Sequence, residues 1–426
     1  MNKFFTFITF QFLFVNNLCE IIFNFFRDKT KIKSSKNDID IFTSLSENFL
    51  QTEINLGNPI QTIPLRISTE YYSLNILNKN ATDKLKYFDP NISSSYINIS
   101  LEIDEYTEFF KKVYLSKDDF FFNNNKKVKN FSFVLGTLNE KDYSGVIGLR
   151  LISTYKDKSN IIENLKEINE IKNKAFQLKY TNLNNESGIL IIGNNTYNHS
   201  ENNFIKENIP KIKLELTWGF NILKIKSGKD EVSKNEIMAK INFDYGLILG
   251  SNSYNKSIYD KFFKENIEKK ICYPINFNNL IHYICNKNVN LKNFPPLILY
   301  SKDSNLEFSL NYEDLFTEIN GKYYFLVNFE YIHKSEIKEF WNLGVPFIKK
   351  YSLIFDRDKN IVGLYKERIN NEPEKSNFLT LSLILSCLII IGLLLYICYY
   401  VLRSEKRMKI AQELYDDVVN NDEKLI

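Results

Sequence analysis

Short runs in which apolar and polar residues alternate, or β-branched and aromatic residues follow one another, dominate the chain from Phe49 to Phe355. Phe49 to Leu56, Phe131 to Leu135, Ile189 to Ile192, Leu297 to Tyr300 and Tyr351 to Phe355 read as strands. Turn-forming clusters separate such runs, among them Leu56-Gly57-Asn58-Pro59 and Asp356-Arg357-Asp358-Lys359-Asn360. Two windows, Asn160 to Ile171 and Ser257 to Lys270, have helical periodicity. The pattern predicts a mostly β protein with a few peripheral helices. No tandem repeat is visible, but two segments echo each other. Ser68-Thr69-Glu70 and Asp244-Tyr245-Gly246 each follow an apolar strand, and Val146-Ile147-Gly148 and Asn342-Leu343-Gly344 lie downstream of them.

The two ends depart from this pattern. Lys3 precedes the apolar run Phe4 to Val15, the length of a signal-peptide core and too short to span a bilayer. Phe378 to Leu402 is 25 residues without a charge, enough to cross a hydrocarbon core of roughly 30 Å at about 1.5 Å per residue. A buried soluble helix is the competing reading, and uncharged runs of this length are rare in soluble proteins. Arg403, Lys406, Arg407 and Lys409 follow the run, so the positive-inside rule puts the C-terminus in the cytoplasm. The expected topology is type I and single-pass, in the secretory pathway at an endosomal membrane or the cell surface.

Composition adds exclusions. Hydrophobic residues at 44% supply a core, and a net charge of +4 with interleaved signs gives no support for nucleic-acid binding. Of five cysteines, Cys19 lies near the signal region and Cys387 and Cys398 in the apolar span, which leaves Cys272 and Cys285 in the outer part. In an oxidising compartment that pair reads as a disulfide, with two free thiols as the alternative. Eight Asn-x-Ser/Thr sequons, including Asn80, Asn91 and Asn130, permit glycosylation. His199, His282 and His333 lack ligand-like spacing and no Gly-rich phosphate loop occurs, so no metal or organic cofactor is expected.

Six segments, in order, carry a resemblance to the pepsin family of aspartic proteases. Phe49 to Ile76, with Gly57-Asn58-Pro59-Ile60-Gln61, is similar to that family's first strand, Gly-Thr-Pro-x-Gln turn and first active-site loop. Tyr87-Phe88-Asp89-Pro90 with Ser93-Ser94-Ser95-Tyr96, and Ser144-Gly145-Val146-Ile147-Gly148-Leu149, resemble its next two motifs. Gly188 to Gly193 resembles the strand closing the first lobe, and Trp218 stands where the family opens the second. The stretch Trp341-Asn342-Leu343-Gly344-Val345-Pro346-Phe347, then Ile354-Phe355-Asp356 and Val362-Gly363-Leu364, resembles the family's ending. The resemblance implies a bilobal pepsin-like acid protease fold with one C-terminal transmembrane helix. The expected layout is a signal peptide over 1–19 and a short basic pro-segment or linker over 20–46. Lobes follow at 47–204 and 205–368, then a stalk at 369–377, the transmembrane helix at 378–402 and a cytoplasmic tail at 403–426.

Aspartic proteolysis needs two carboxylates sharing one proton and gripping one water, each supplied by an Asp-Thr/Ser-Gly loop. Here Ser68 occupies the first aspartate position and Glu70 the glycine position, while Thr69 is retained. The second loop keeps Asp244 and Gly246 but carries Tyr245, Leu247 and Ile248 where small hydroxyl residues are usual. A serine hydroxyl is no base near neutral pH without a partner. Tyr106 is the candidate flap tyrosine, and Val345 replaces a family aspartate. The first reading is a catalytically inactive homologue that binds an extended peptide or protein segment in its cleft. The alternatives are an endopeptidase with a displaced Glu70/Asp244 dyad, and a structural or adhesive surface protein whose cleft is filled by bulky side chains such as Tyr71, Tyr72 and Leu247. In the tail, Tyr415 to Val418 fits a Tyr-x-x-apolar sorting pattern and Asp422 to Ile426 is near an acidic dileucine signal, which implies sorting adaptors as partners.

Overall fold

The computed structural model describes residues 21–27, 37–47, 49–78, 87–99, 110–122, 126–138, 144–151, 159–182, 186–193, 204–208, 217–233, 236–302, 307–330, 340–365, 396, 399–400, 403–404 and 406–411. The signal region, Tyr106, the tail motifs and most of the apolar run at 378–402 lie outside these. Among the described residues no helix is long and apolar enough to cross a membrane. The chain divides into two compact units, Met1–Ile369 and Asn370–Ile426. In the second, Tyr396, Tyr399 and Tyr400 are helical and exposed.

The first unit is built on two large sheets. Strands of the first half are β1 (Ile21–Arg27), β2 (Leu50–Leu56), β3 (Gln61–Ser68), β4 (Leu74–Leu77), β5 (Ile97–Asn98) and β6 (Phe110–Phe121). They continue as β7 (Lys127–Leu138), β8 (Gly145–Gly148), β9 (Ala175–Asn182), β10 (Ser187–Ile192) and β11 (Phe204–Asn208). The second half begins with β12 (Gly219–Ser227), β13 (Asp230–Ser233), β14 (Ile237–Ile241), β15 (Ile248–Ser251), β16 (Cys272–Phe277), β17 (Leu280–Asn286) and β18 (Leu297–Ser301). It ends with β19 (Glu307–Leu310), β20 (Phe316–Ile319), β21 (Lys322–Phe325), β22 (Val327–Glu330), β23 (Phe340–Leu343), β24 (Leu353–Asp356) and β25 (Ile361–Tyr365). The first sheet runs β11-β25-β24-β9-β10-β1-β2-β3-β8-β4-β7-β6-β5, so near one end β24 and β25 of the second half lie between β9 and β11 of the first. The second runs β19-β18-β12-β14-β23-β15-β22-β17-β21-β20, with β13 and β16 attached at its flank.

The five strand runs expected from the pattern correspond to β2, β7, β10, β18 and β24; β2 starts one residue later than expected, and β24 two residues later because Tyr351 ends a helix. The echo between the halves is topological. Parallel pairing of β3 with β8 and β4 with β7 is repeated by β14 with β23 and β15 with β22. Each active-site candidate loop therefore leaves the end of a buried strand (β3 or β14) and returns under a glycine. A Cβ on Gly148 would stand 2.5 Å from the Ser73 carbonyl oxygen, and one on Gly344 would stand 2.0 Å from that of Leu247. Only glycine permits such approaches.

Helix α1 (Asp38–Ser46) is capped by Asn37, whose side chain accepts from the Asp40 N–H at 2.8 Å. Helix α2 (Ile161–Glu167) realises the first helical window, and Asn160 caps it by accepting from Ile162 and Glu163. The second window is interrupted: Asn255–Ile258 and Lys264–Glu268 are α-helical, and the intervening Tyr259–Phe263 widens to a π turn. This seats the consecutive Phe262 and Phe263 in the core together.

One apolar core runs through both halves. Where they meet, Phe176 stacks on Phe355 at 4.6 Å, and Trp218 and Phe243 meet that pair edge-on. The buried Trp218 N–H donates to the Leu149 carbonyl at 2.6 Å, tying the second half to the strand end behind the first loop. Cys272 and Cys285, directly opposed in β16 and β17, form a disulfide. The stretch expected as pro-segment or linker contains β1, a central strand paired with β10 and β2, and the capped helix α1.

Candidate active site

Ser68 ends β3, and Thr69 and Glu70 follow it; Asp244 and Gly246 follow β14. Parallel strands β8 and β23 hold both loops at the seam between halves, which brings Ser68 and Asp244 together from 176 residues apart. Asp244 is 5% exposed and Ser68 fully buried. The Ser68 hydroxyl donates to Asp244 Oδ2 at 2.8 Å, and the Thr69 and Glu70 backbone N–H groups donate to the same oxygen at 3.1 and 3.3 Å. Ser68 Oγ also accepts from the Glu70 N–H at 3.0 Å. The hydroxyl thus braces its loop and ties it to Asp244, but supplies no second carboxylate.

The other oxygen of Asp244 is held by a residue the sequence reading passed over. Arg66, two positions before Ser68 in β3, donates from Nη2 to Asp244 Oδ1 in a buried ion pair. Its guanidinium also lies 3.5 Å above the Phe49 ring, a stacked arrangement suited to a planar cation. A signal was present in the chain, since Arg66 is a lone charge between Leu65 and Ile67, both buried. A buried arginine inside an apolar strand calls for a carboxylate partner.

Asn242 is the second residue missed. Its Oδ1 accepts from the Asp244 N–H at 2.8 Å, and its Nδ2 donates to Glu70 Oε1 at 2.8 Å. Glu70 therefore turns to Asn242 and not to the Asp244 carboxylate. Burial of the carboxyl, then the negative charge of Asp244, push the Glu70 pKa above the ordinary glutamate value. The residue as a whole is exposed, so this is crowding around one end of the side chain and not full withdrawal from water. Thr69 keeps a loop-locking role, its hydroxyl accepting from the Phe243 N–H at 3.2 Å.

Gly246 is where a third element enters. Its N–H donates to the Ser46 carbonyl at 3.1 Å, and a Cβ there would stand 1.7 Å from the Leu45 carbonyl oxygen. The C-terminal end of α1 thus rests directly on the second loop. Ile41, Phe42 and Leu45 of α1 pack with Leu247, Ile284 and Tyr324 in a small apolar cluster. At its other end, Asp38 accepts from Lys322 Nζ at 2.9 Å, Tyr324 at 2.7 Å and Tyr273 at 3.0 Å. Burial by itself would raise the Asp38 pKa, but these donors, Lys322 foremost, outweigh it and hold the carboxyl below the aspartate norm. Arg27 at the end of β1 pairs with Glu186 at 2.7 Å, and Lys349 pairs with the same carboxylate at 2.8 Å.

Against α1, the His282 ring meets that of Phe42 at 4.2 Å, tilted by 38°. Burial lowers its pKa to about 4. Asn328 and the Phe277 backbone offset this only in part, and neither ring nitrogen makes a well-formed hydrogen bond. On the remaining side of the seam a cavity of about 180 Å³ stays open, lined by Glu70, Thr217, Lys240, Asn242, Phe340 and Asn342. Lys240 extends its ammonium over the Phe340 ring at 3.9 Å.

The candidate residues Ser68, Thr69, Glu70, Asp244 and Gly246 are therefore one constellation. Tyr106 lies outside the described residues. Val345 is buried and its N–H donates to the Tyr245 carbonyl at 3.1 Å, bracing the second loop through the backbone. Cys272 and Cys285 belong to the hairpin that presents Tyr273 to Asp38. Among the described residues no group of three or more His, Cys, Asp or Glu side chains is arranged to hold a metal ion.

The family model for eukaryotic aspartyl protease matches residues 51–367. No curated protein matches the chain.

Proposed function

The chain belongs to the eukaryotic aspartyl protease family, and from that premise we propose that it is a non-cleaving member that works by holding a peptide segment in its cleft. One observation carries this reading: both oxygens of Asp244 are engaged, one by Arg66 and the other by Ser68 and two backbone N–H groups. The dyad reaction needs a carboxylate partner and a water at that position. A guanidinium and a hydroxyl occupy it instead, and neither takes a proton from water at ordinary pH. The cleft's capacity for peptide is supported by α1, a segment of this chain already bonded to Gly246 and packed on Leu247. The open cavity beside Glu70 and Asn242 leaves room for a partner's side chain.

The displaced-dyad reading draws on one feature, the electrostatic coupling between Glu70 and Asp244. Against it stands the Glu70 carboxylate's bond to Asn242. The apolar run Phe378 to Leu402, followed by Arg403, Lys406, Arg407 and Lys409, supports a type I anchored topology for the same protein.

The test incubates the protein with a diverse peptide library from pH 3 to 7, beside Asp244→Ala and Glu70→Gln variants. No cleavage by any of the three is expected, together with retention of a subset of peptides. Cleavage abolished by either substitution would establish a working protease and end the non-cleaving reading.

A further inference from the structure

β5 is the terminal strand of the first sheet, and among the described residues it has one neighbour, β6. Both of its residues are exposed, as is Ile99, whose N–H still donates to the Leu115 carbonyl at 2.9 Å. Around this edge stand four outward isoleucines, Ile60 at 55%, Ile92 at 52%, Ile97 at 48% and Ile99 at 45% exposed. They share one end of the sheet: the turn carrying Ile60 is joined to the segment carrying Ile92 by the Ser94 N–H to Asn58 carbonyl bond of 2.8 Å. An open edge with apolar side chains is a template for pairing with a second chain.

The same edge carries two sequons, Asn91-Ile92-Ser93 and Asn98-Ile99-Ser100. Asn91 and Asn98 are both exposed. Asn255 differs: it is half-buried, and its side-chain oxygen, accepting from the Tyr283 hydroxyl at 2.8 Å, holds the amide against the core and leaves less room for a sugar on its nitrogen. We propose that Asn91 and Asn98 are N-glycosylation sites whose sugars blunt the β5 edge and screen the isoleucines around it. The chemistry is transfer from a lipid-linked oligosaccharide diphosphate. The asparagine amide nitrogen bonds to the anomeric carbon, the carbon–oxygen bond to the diphosphate breaks, the amide gives up one proton, and the lipid diphosphate leaves. A bulky hydrated sugar on the edge prevents a second chain from approaching to strand-pairing distance. The proposal rests on the luminal reading of residues 20–377.

The experiment expresses the full chain in secretory eukaryotic cells and maps occupied asparagines by mass spectrometry after peptide-N-glycosidase treatment in oxygen-18 water, which converts each to a labelled aspartate. Sugar is expected on Asn91 and Asn98 and absent from Asn255. The folded protein is then deglycosylated enzymatically and compared with an Asn91→Gln/Asn98→Gln variant by light scattering and apolar-dye binding. Both are expected to self-associate and to bind severalfold more dye, while Asn130→Gln does neither. Sugar elsewhere with Asn91 and Asn98 bare overturns the proposal alone. A chain without sugar at any site overturns it together with the luminal reading. Occupied sites whose deglycosylation leaves the protein monodisperse overturn the screening role.

Discussion

Arg66 Nη2 donates to Oδ1 of Asp244, so a cation from the strand leading into the first loop faces the one aspartate that the second loop retains. The two side chains are 10% and 2% exposed. A pair this buried is sensitive to which partner is removed. Desolvating both ions offsets most of their attraction, whereas removing one strands the other.

Replacing Arg66 with Leu is therefore expected to destabilise the protein by about 3–5 kcal/mol. The double variant Arg66→Leu/Asp244→Asn should recover most of that loss, because no charge then stays buried alone. Urea unfolding of the four members of the cycle measures the coupling. A double-variant loss equal to the sum of the Arg66→Leu and Asp244→Asn losses would mean that the pair contributes nothing as a pair.

His282 makes the docking of α1 sensitive to acid. Its folded pKa of about 4 lies below the ordinary 6.5, so folding favours the neutral ring. The associated stability is whole above pH 6.5, declines as pH falls toward 4 and levels off below it. The loss is on the order of 3 kcal/mol for a shift of this size. Thermal unfolding across pH 3.5 to 7.5 should show this slope, and a His282→Phe variant should lack it. Asp38 acts in a lower window, since its pKa is depressed; its contribution is present above the aspartate norm and fades as pH falls through its folded value.

Asp38→Ala removes the carboxylate that Lys322, Tyr273 and Tyr324 share. A cost of about 1–3 kcal/mol is expected, concentrated in α1. Limited proteolysis should cut between residues 37 and 47 faster in this variant while the disulfide hairpin stays protected. Gly246→Ala should have the same local effect by crowding, since its new methyl would meet the Leu45 carbonyl.

Glu70 titrates in the opposite sense to His282 and Asp38. With its folded pKa raised, its contribution is present below the ordinary glutamate pKa and is lost as pH rises through the folded value. Glu70→Gln keeps an acceptor for Asn242 and removes the charge near Asp244. The variant is expected to gain stability relative to the parent above pH 6 and to match it at pH 4. No difference at either pH would show that the carboxyl is free of Asp244's field.

Strand periodicity made β2, β7, β10, β18 and β24 readable, because alternation of buried and exposed positions is local and survives without knowledge of partners. The turn and loop motifs then ordered those strands, and the echo of Ser68 with Asp244 anticipated two similar halves. That position 68 holds a serine and not an aspartate is likewise legible in the chain alone, since it is a matter of identity and needs no coordinates. Partnership is different. Nothing linear joins Arg66 to Asp244, Asn242 to Glu70, or Ser46 to Gly246, because each pair is decided by which strand ends the sheets bring to one seam. The same holds for the segment at 20–46, expected as a short basic pro-segment or linker: that β1 lies between β10 and β2 and that α1 packs on the second loop is decided by the sheets. Charge and hydrophobicity along the chain set what must be buried or paired; only the folded sheets chose the partner.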